Sequence, residues 1–163
     1  MTQYHPLVSR ILDQITSAGY WYEQFEHQPV RTSQEAAQIR TGYTLSQGAK
    51  ALIVRVKKSE SDKSFVMLVI PGDKKFDGIK VKLLLKAKDI RFATEEEVEK
   101  ITNGVQVGGV PPFGNLFGLP VYVDDYVLAN DKIIFNAGDR SFSIAMKSAD
   151  YLSLVHPIVT NLV

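Results

Sequence analysis

The chain has 163 residues, a net charge of +1, 45% apolar and 23% charged residues, and no cysteine. This is the composition of one globular domain over residues 1–163, and it excludes disulfides, thiolate metal sites and a cysteine nucleophile. The first residues lack a basic-then-apolar leader and no apolar run approaches membrane-spanning length, so a cytoplasmic protein without a membrane partner is expected.

Leu7, Ile11, Ile15 and Ala18 recur at helical spacing, with Val8 and Leu12 widening the stripe and Gly19 as a stop. The pattern predicts a helix from about Pro6 to Ala18. Tyr20 to His27 is aromatic-rich and reads as a strand that Pro29 ends. Thr32-Ser33-Gln34-Glu35 is a capping-box pattern ahead of a short helix carrying Ala36, Ala37 and Ile39.

Ala51–Val56 and Phe65–Ile70 are two apolar runs, with a polar turn expected over Lys57–Ser64. They read as a hairpin in the centre of a sheet, broken by Pro71-Gly72-Asp73. Phe76, Ile79 and Leu83, with Val81 and Leu85, fit a lysine-studded helix. A short strand at Asp89–Ala93 precedes a second capping box, Thr94-Glu95-Glu96-Glu97, whose helix ends near Asn103-Gly104. Pro120–Asp124 is a strand, and Asp124-Asp125 suits a turn cap better than a paired acid site, because adjacent strand residues face opposite ways. Ile133–Phe135 and Phe142–Met146 predict a second hairpin around Asn136–Asp139, and Ser148 is expected to cap a last helix. Together these elements imply a single α/β (α+β) domain with a mixed, curled sheet and short helices around it.

Charge is unevenly spread. Between Arg55 and Arg91 there are eleven Lys or Arg against five Asp or Glu, a local excess of +6. Such a segment suits a phosphate backbone or a solvated helix face.

Two features carry the candidate chemistry. Val107-Gly108-Gly109-Val110-Pro111-Pro112-Phe113-Gly114 cannot be a stable helix or central strand, since proline lacks a donor and glycine adopts conformations closed to other residues. It is either a rigid turn or a shaped loop whose backbone groups hold a small polar ligand. Lys50 enters an otherwise apolar strand, either snorkelling to the surface or meeting a phosphate or a developing anion. His5, His27 and His156 show no helical metal-pair spacing, and no phosphate loop or dinucleotide fingerprint is present, so no metal or cofactor is expected.

The order of His27-Gln28-Pro29 with Thr32, Lys50–Val54, Asp89–Ala93, the Gly108–Gly114 loop, Pro120–Asp124 and Asn136-Ala137-Gly138 resembles the YbaK family. That family is related to the insertion (editing) domain of bacterial prolyl-tRNA synthetases. Its Gly-x-x-x-Pro loop is matched by Gly108 to Pro112. The resemblance implies a mixed barrel-like sheet flanked by short helices, and a freestanding trans-editing deacylase that hydrolyses the ester of a mischarged aminoacyl-tRNA, with the tRNA 3′ end as partner, an aminoacyl-tRNA synthetase as a further candidate partner, and no DNA. It also implies Lys50 as the catalytic residue, holding the terminal nucleotide, and backbone groups of Gly108, Gly109, Val110, Pro111, Pro112, Phe113 and Gly114 gripping the α-amine and carbonyl. A sugar hydroxyl of the substrate would direct water. Ser143 stands where some relatives carry an acid or a histidine, and it joins His27 among the candidate substrate-binding residues; the His-x-Pro turn also gives His27 a local packing role. Ala51 follows the lysine where many relatives have Thr or Asn. The other readings are a non-catalytic module that binds tRNA or a synthetase, and an amino-acid sensor of the same fold.

Overall fold

The computed structural model describes residues 3–29, 32, 34–36 and 42–163. Helix α1 (Pro6–Ser17) buries Leu7, Val8, Ile11 and Ile15, the stripe expected from the sequence. Strand β1 (Tyr22–Glu26) follows. Thr32 Oγ1 accepts from the Glu35 amide at 3.1 Å, so the first capping residue does cap, while Ala37 and Ile39 lie outside the described residues.

Strands β2 (Ala49–Ser59) and β3 (Asp62–Pro71) form a long antiparallel hairpin. The polar stretch expected as its turn is mostly strand, and only Glu60 and Ser61 turn. The tip projects into solvent, where polar residues pair as well as apolar ones, and Glu60 bridges Lys57 and Lys63. Helix α2 (Gly78–Leu85) starts at Asp77, whose carboxylate accepts from the Ile79 and Lys80 amides. It buries Val81 and Leu85, whereas Ile79 and Leu83 stand 73% and 75% exposed, so the helix lies on a face rotated from the one the spacing suggested. Strand β4 (Asp89–Phe92) and helix α3 (Glu95–Thr102) keep their expected places, and Thr94 and Glu97 complete a reciprocal capping box.

Strand β5 (Val121–Asp124) leads into the short helix α4 (Asp125–Leu128), capped by Asp124 as expected. Strands β6 (Lys132–Asp139) and β7 (Phe142–Lys147) make the second hairpin. Its turn is Arg140-Ser141; Asn136–Asp139 is instead a register-shifting bulge within β6. Gly138 in the bulge has φ +105°, and a Cβ there would stand 2.8 Å from Leu7 Cβ, so α1 rests directly on this glycine. Helix α5 (Ser148–Val155) is preceded by Lys147 as its cap residue, and Ser148 donates to the Asn130 carbonyl at 2.7 Å. Strand β8 (Ile158–Thr160) ends the order.

The strands form two sheets, β1-β7-β6 and β4-β2-β3-β5-β8, the second of mixed direction. A parallel bridge between Gly48 and Ile134 links them. One core cluster lies on the faces the two sheets share with α1: Met67, Val69, Val123, Phe135 and Ile144 belong to it. The other face of the larger sheet packs Val54, Val56, Val66, Leu68 and Ile70 against Val81 and Leu85 of α2. Strand β3 is thus buried on both faces, which is why its second half reads as an unbroken apolar run. Among the described residues no helix is long and apolar enough to cross a membrane.

Asp124 fastens β8 to this frame. It is fully buried; one oxygen accepts from the Tyr126 amide at 2.8 Å and the other from the Leu162 and Val163 amides at 2.6 and 3.0 Å. Asp124→Ala strands these donors and should lower stability by about 3 kcal/mol or more. Chemical denaturation reads the loss, and turnover per folded molecule should not change.

Candidate active site

A cavity of about 500 Å³ opens at the seam where the two sheets meet. One wall is the start of β2, from Gly48 to Leu52; a second is the turn Gly72–Lys75 after β3; a third is β6 at Ile134–Asn136; the fourth is the loop at Val107, Gly108 and Val110. The seam is built of backbone. Gly72 donates to the Gly48 carbonyl at 2.9 Å, so the β3 turn folds onto the residue that bridges to β6.

Lys50 reaches into this cavity from β2, opposite Ile70. Its Nζ donates to the Lys74 carbonyl at 3.0 Å, which leaves two further ammonium protons for a ligand. Burial holds its pKa below the usual lysine value, Lys75 adds like-charge repulsion, and Asp73 opposes both. Ala51 also lines the cavity and contributes only a methyl group.

The loop meets the cavity through part of its length. Gly108, at φ +93°, and Val110 line it. Gly109 is buried with its α-carbon turned the other way: an added Cβ would lie 3.3 Å from the Arg140 nitrogen and the Gln106 carbonyl oxygen. Pro111, Pro112, Phe113 and Gly114 are buried behind the cavity. Phe113 packs on Phe135 and edge-on to Tyr151, and the Tyr151 hydroxyl donates to the Pro112 carbonyl at 2.6 Å. Burial pushes that phenol's pKa up, so it stays a neutral donor.

His27 and Ser143 do not line the cavity; they stand behind Asn136, which does. His27 Nε2 lies 2.7 Å from Ser143 Oγ, which donates to Asn136 Oδ1 at 3.1 Å. Asn136 Nδ2 in turn donates to the Gly108 carbonyl at 2.5 Å. From the sequence Asn136 reads as a turn residue, and nothing there marks out Arg140 or the carbonyl of Lys74. No local signal separates a bulge from a turn at Asn136, because both make use of a glycine of positive φ.

Comparison with known proteins places the chain in a family. The model of the aminoacyl-tRNA editing domain matches residues 27–154, the span that contains every wall of the cavity. The chain belongs to that family. The editing domain is 29% identical over 153 residues to the multifunctional Ser/Thr-tRNA deacylase ProXp-y of Escherichia coli, covering 93% of this chain and 90% of the relative. It is 34% identical over 98 residues to the proline–tRNA ligase of a Sulfurihydrogenibium species, covering 60% of this chain but 16% of the ligase. A crystal structure described as a candidate trans-editing enzyme for prolyl tRNA synthetase superposes with a TM-score of 0.81 at 26% identity, covering 98% of both chains.

The Lys50 environment has a measurable consequence. Its folded-state pKa lies below the reference value of 10.5, so between the two values the unfolded chain holds the extra proton. Stability relative to Lys50→Met should therefore rise with pH across that window, after a constant deficit at lower pH. Denaturation of both proteins at matched pH values checks this; a difference that does not change with pH would mean a fully solvated amine.

Proposed function

We propose that this editing domain is a trans-editing aminoacyl-tRNA deacylase. The observation that carries the reading is the meeting of the Lys50 ammonium with the Gly108 and Val110 segment of the loop in one cavity. Its reaction adds water across the ester between an amino acid and a ribose hydroxyl of the terminal adenosine. Such an ester is already activated, so positioning and charge stabilisation supply most of what is needed.

In the proposed reaction a ribose hydroxyl beside the ester directs the water. Water oxygen bonds to the carbonyl carbon, negative charge collects on the carbonyl oxygen, and loop amides receive it. The C–O bond to ribose then breaks and the departing oxygen takes a proton. Lys50, anchored through the Lys74 carbonyl, fixes the terminal nucleotide by its charge. The chemistry draws on substrate, backbone and one ammonium, with no step routed through a metal.

The tRNA body would lie on fewer lysines than the sequence suggested. Arg91 is paired with Glu97 through two nitrogens, Arg55 with Asp89, and Lys57 and Lys63 with Glu60. Lys80 donates to Asn161 and to the Val163 carbonyl. Lys74 and Lys75 line the cavity and α2 begins a few residues on, so Lys75, Lys82 and Lys86 form the proposed track for phosphates.

A panel of mischarged tRNAs, seryl and threonyl forms included, tests the function directly. The protein should release amino acid from at least one of them. Lys50→Ala should slow that release by on the order of 100-fold while it folds normally. Turnover unchanged in Lys50→Ala would remove the lysine from the mechanism. Binding should also weaken steeply as salt rises, because each phosphate contact releases counterions. Charge reversal at Lys82 and Lys86 should weaken tRNA binding without slowing hydrolysis of an aminoacyl-adenosine.

A further inference from the structure

The β6–β7 hairpin takes hold of three successive carbonyls of the loop. Arg140 Nε donates to the Val107 carbonyl at 2.7 Å, Asn136 Nδ2 to that of Gly108 at 2.5 Å, and the Gly138 amide to that of Gly109 at 2.9 Å. Among the described residues no peptide bond is cis, so within each peptide plane the N–H points opposite to the C=O. Holding the Val107 carbonyl toward Arg140 therefore turns the Gly108 amide to the other side. Holding the Gly109 carbonyl toward Gly138 does the same for the amide of Val110. Gly108 and Val110 line the cavity, whereas Arg140 and Gly138 line a separate hollow with His5 and Gln106. Neither of the two amides has a hydrogen-bond partner among the described residues.

Asn136 is itself held. Ser143, fully buried, donates to its Oδ1, His27 Nε2 stands against the serine hydroxyl, and His27 Nδ1 lies 2.8 Å from the Gln28 carbonyl oxygen. We propose that the β6–β7 hairpin positions the Gly108 and Val110 amides by clasping the loop: Arg140 on the Val107 carbonyl and the Gly138 amide on that of Gly109, with Asn136, backed by Ser143 and His27, steadying the Gly108 carbonyl between them. Arg140, Ser143 and His27 are then positioning residues that act through the loop without touching substrate. The proposal rests on the deacylase reading for its kinetic consequence, and on geometry alone for the clasps.

The test uses Arg140→Ala and Ser143→Ala with an aminoacyl-adenosine, which has no tRNA phosphates for a surface arginine to hold. Displacing the donors should lower kcat by about 10-fold or more with KM little changed. The amide resonances of Gly108 and Val110 should shift in the free Arg140→Ala protein and exchange with solvent at altered rates. Normal kcat in folded Arg140→Ala, or a loss confined to full-length tRNA, would overturn the clasp and leave Arg140 as a phosphate contact. If Ser143→Ala fails to fold, Arg140→Ala still decides, since it empties no core position. Should the native protein hydrolyse none of the mischarged tRNAs, the deacylase reading falls; the two amide resonances still decide the clasp, and their failure to move in Arg140→Ala would overturn it.

Discussion

Among the described residues a parallel bridge between Gly48 and Ile134 joins the two sheets, and both residues line the cavity. On one side of the bridge the chain continues into Ala49 and Lys50; on the other it continues into Phe135 and Asn136. The bridge thus sets the separation between the lysine and the asparagine, which come from sheets with separate edges. Gly72 adds a third chain to the same point by donating to the Gly48 carbonyl. An added Cβ at residue 48 would stand 3.2 Å from the Leu45 carbonyl oxygen and 3.7 Å from the Gly72 α-carbon, so a glycine suits this tight packing of backbones.

The electrostatics of the site follow from that geometry more than from overall charge. An excess of +6 over Arg55–Arg91 suggested a broad basic face. In the fold this segment is a long hairpin, a helix and an edge strand, and Arg55, Lys57, Lys63 and Arg91 have carboxylate partners close by. The hairpin tip pairs internally through Glu60, and Arg91 is occupied by Glu97, whose carboxyl it holds well below the usual range, at about 2. What distinguishes Lys50 is partial burial beside Lys75, a situation that arises only after β2 and the turn behind β3 come together.

Much of the element order was legible because it rests on local rules. The α1 stripe, the Thr94–Glu97 capping box and the Asp124 cap depend on neighbours a few residues away, and each is present. The reading failed where tertiary pairing overrides local polarity. Lys57–Ser64 looks like a loop yet pairs as strand, since a solvent-facing hairpin tip tolerates polar residues. Asn136–Asp139 looks like a turn because of its glycine, but the positive φ serves a bulge that lets α1 approach. Lys50 and the Gly108 loop were visible as unusual residues, and the fold brings them to one cavity. Which glycine faces it was not visible: Gly108 and Gly109 are adjacent and identical in type, and only the carbonyl tethers distinguish them.

The contact of α1 with Gly138 has a consequence for the order in which the molecule can assemble. The first helix and the first strand find their partners near the far end of the chain, α1 on the β6 bulge and β1 along β7, with Tyr22 opposite Met146. During synthesis the apolar stripe of α1 therefore leaves the ribosome long before anything exists to cover it. The β2–β3 hairpin closes earlier because its strands are neighbours, while the three-stranded sheet waits for nearly the whole sequence. Such distant pairings slow folding and lengthen the exposure of sticky surface. The α1 stripe therefore gains its cover only once the β6 bulge has been made.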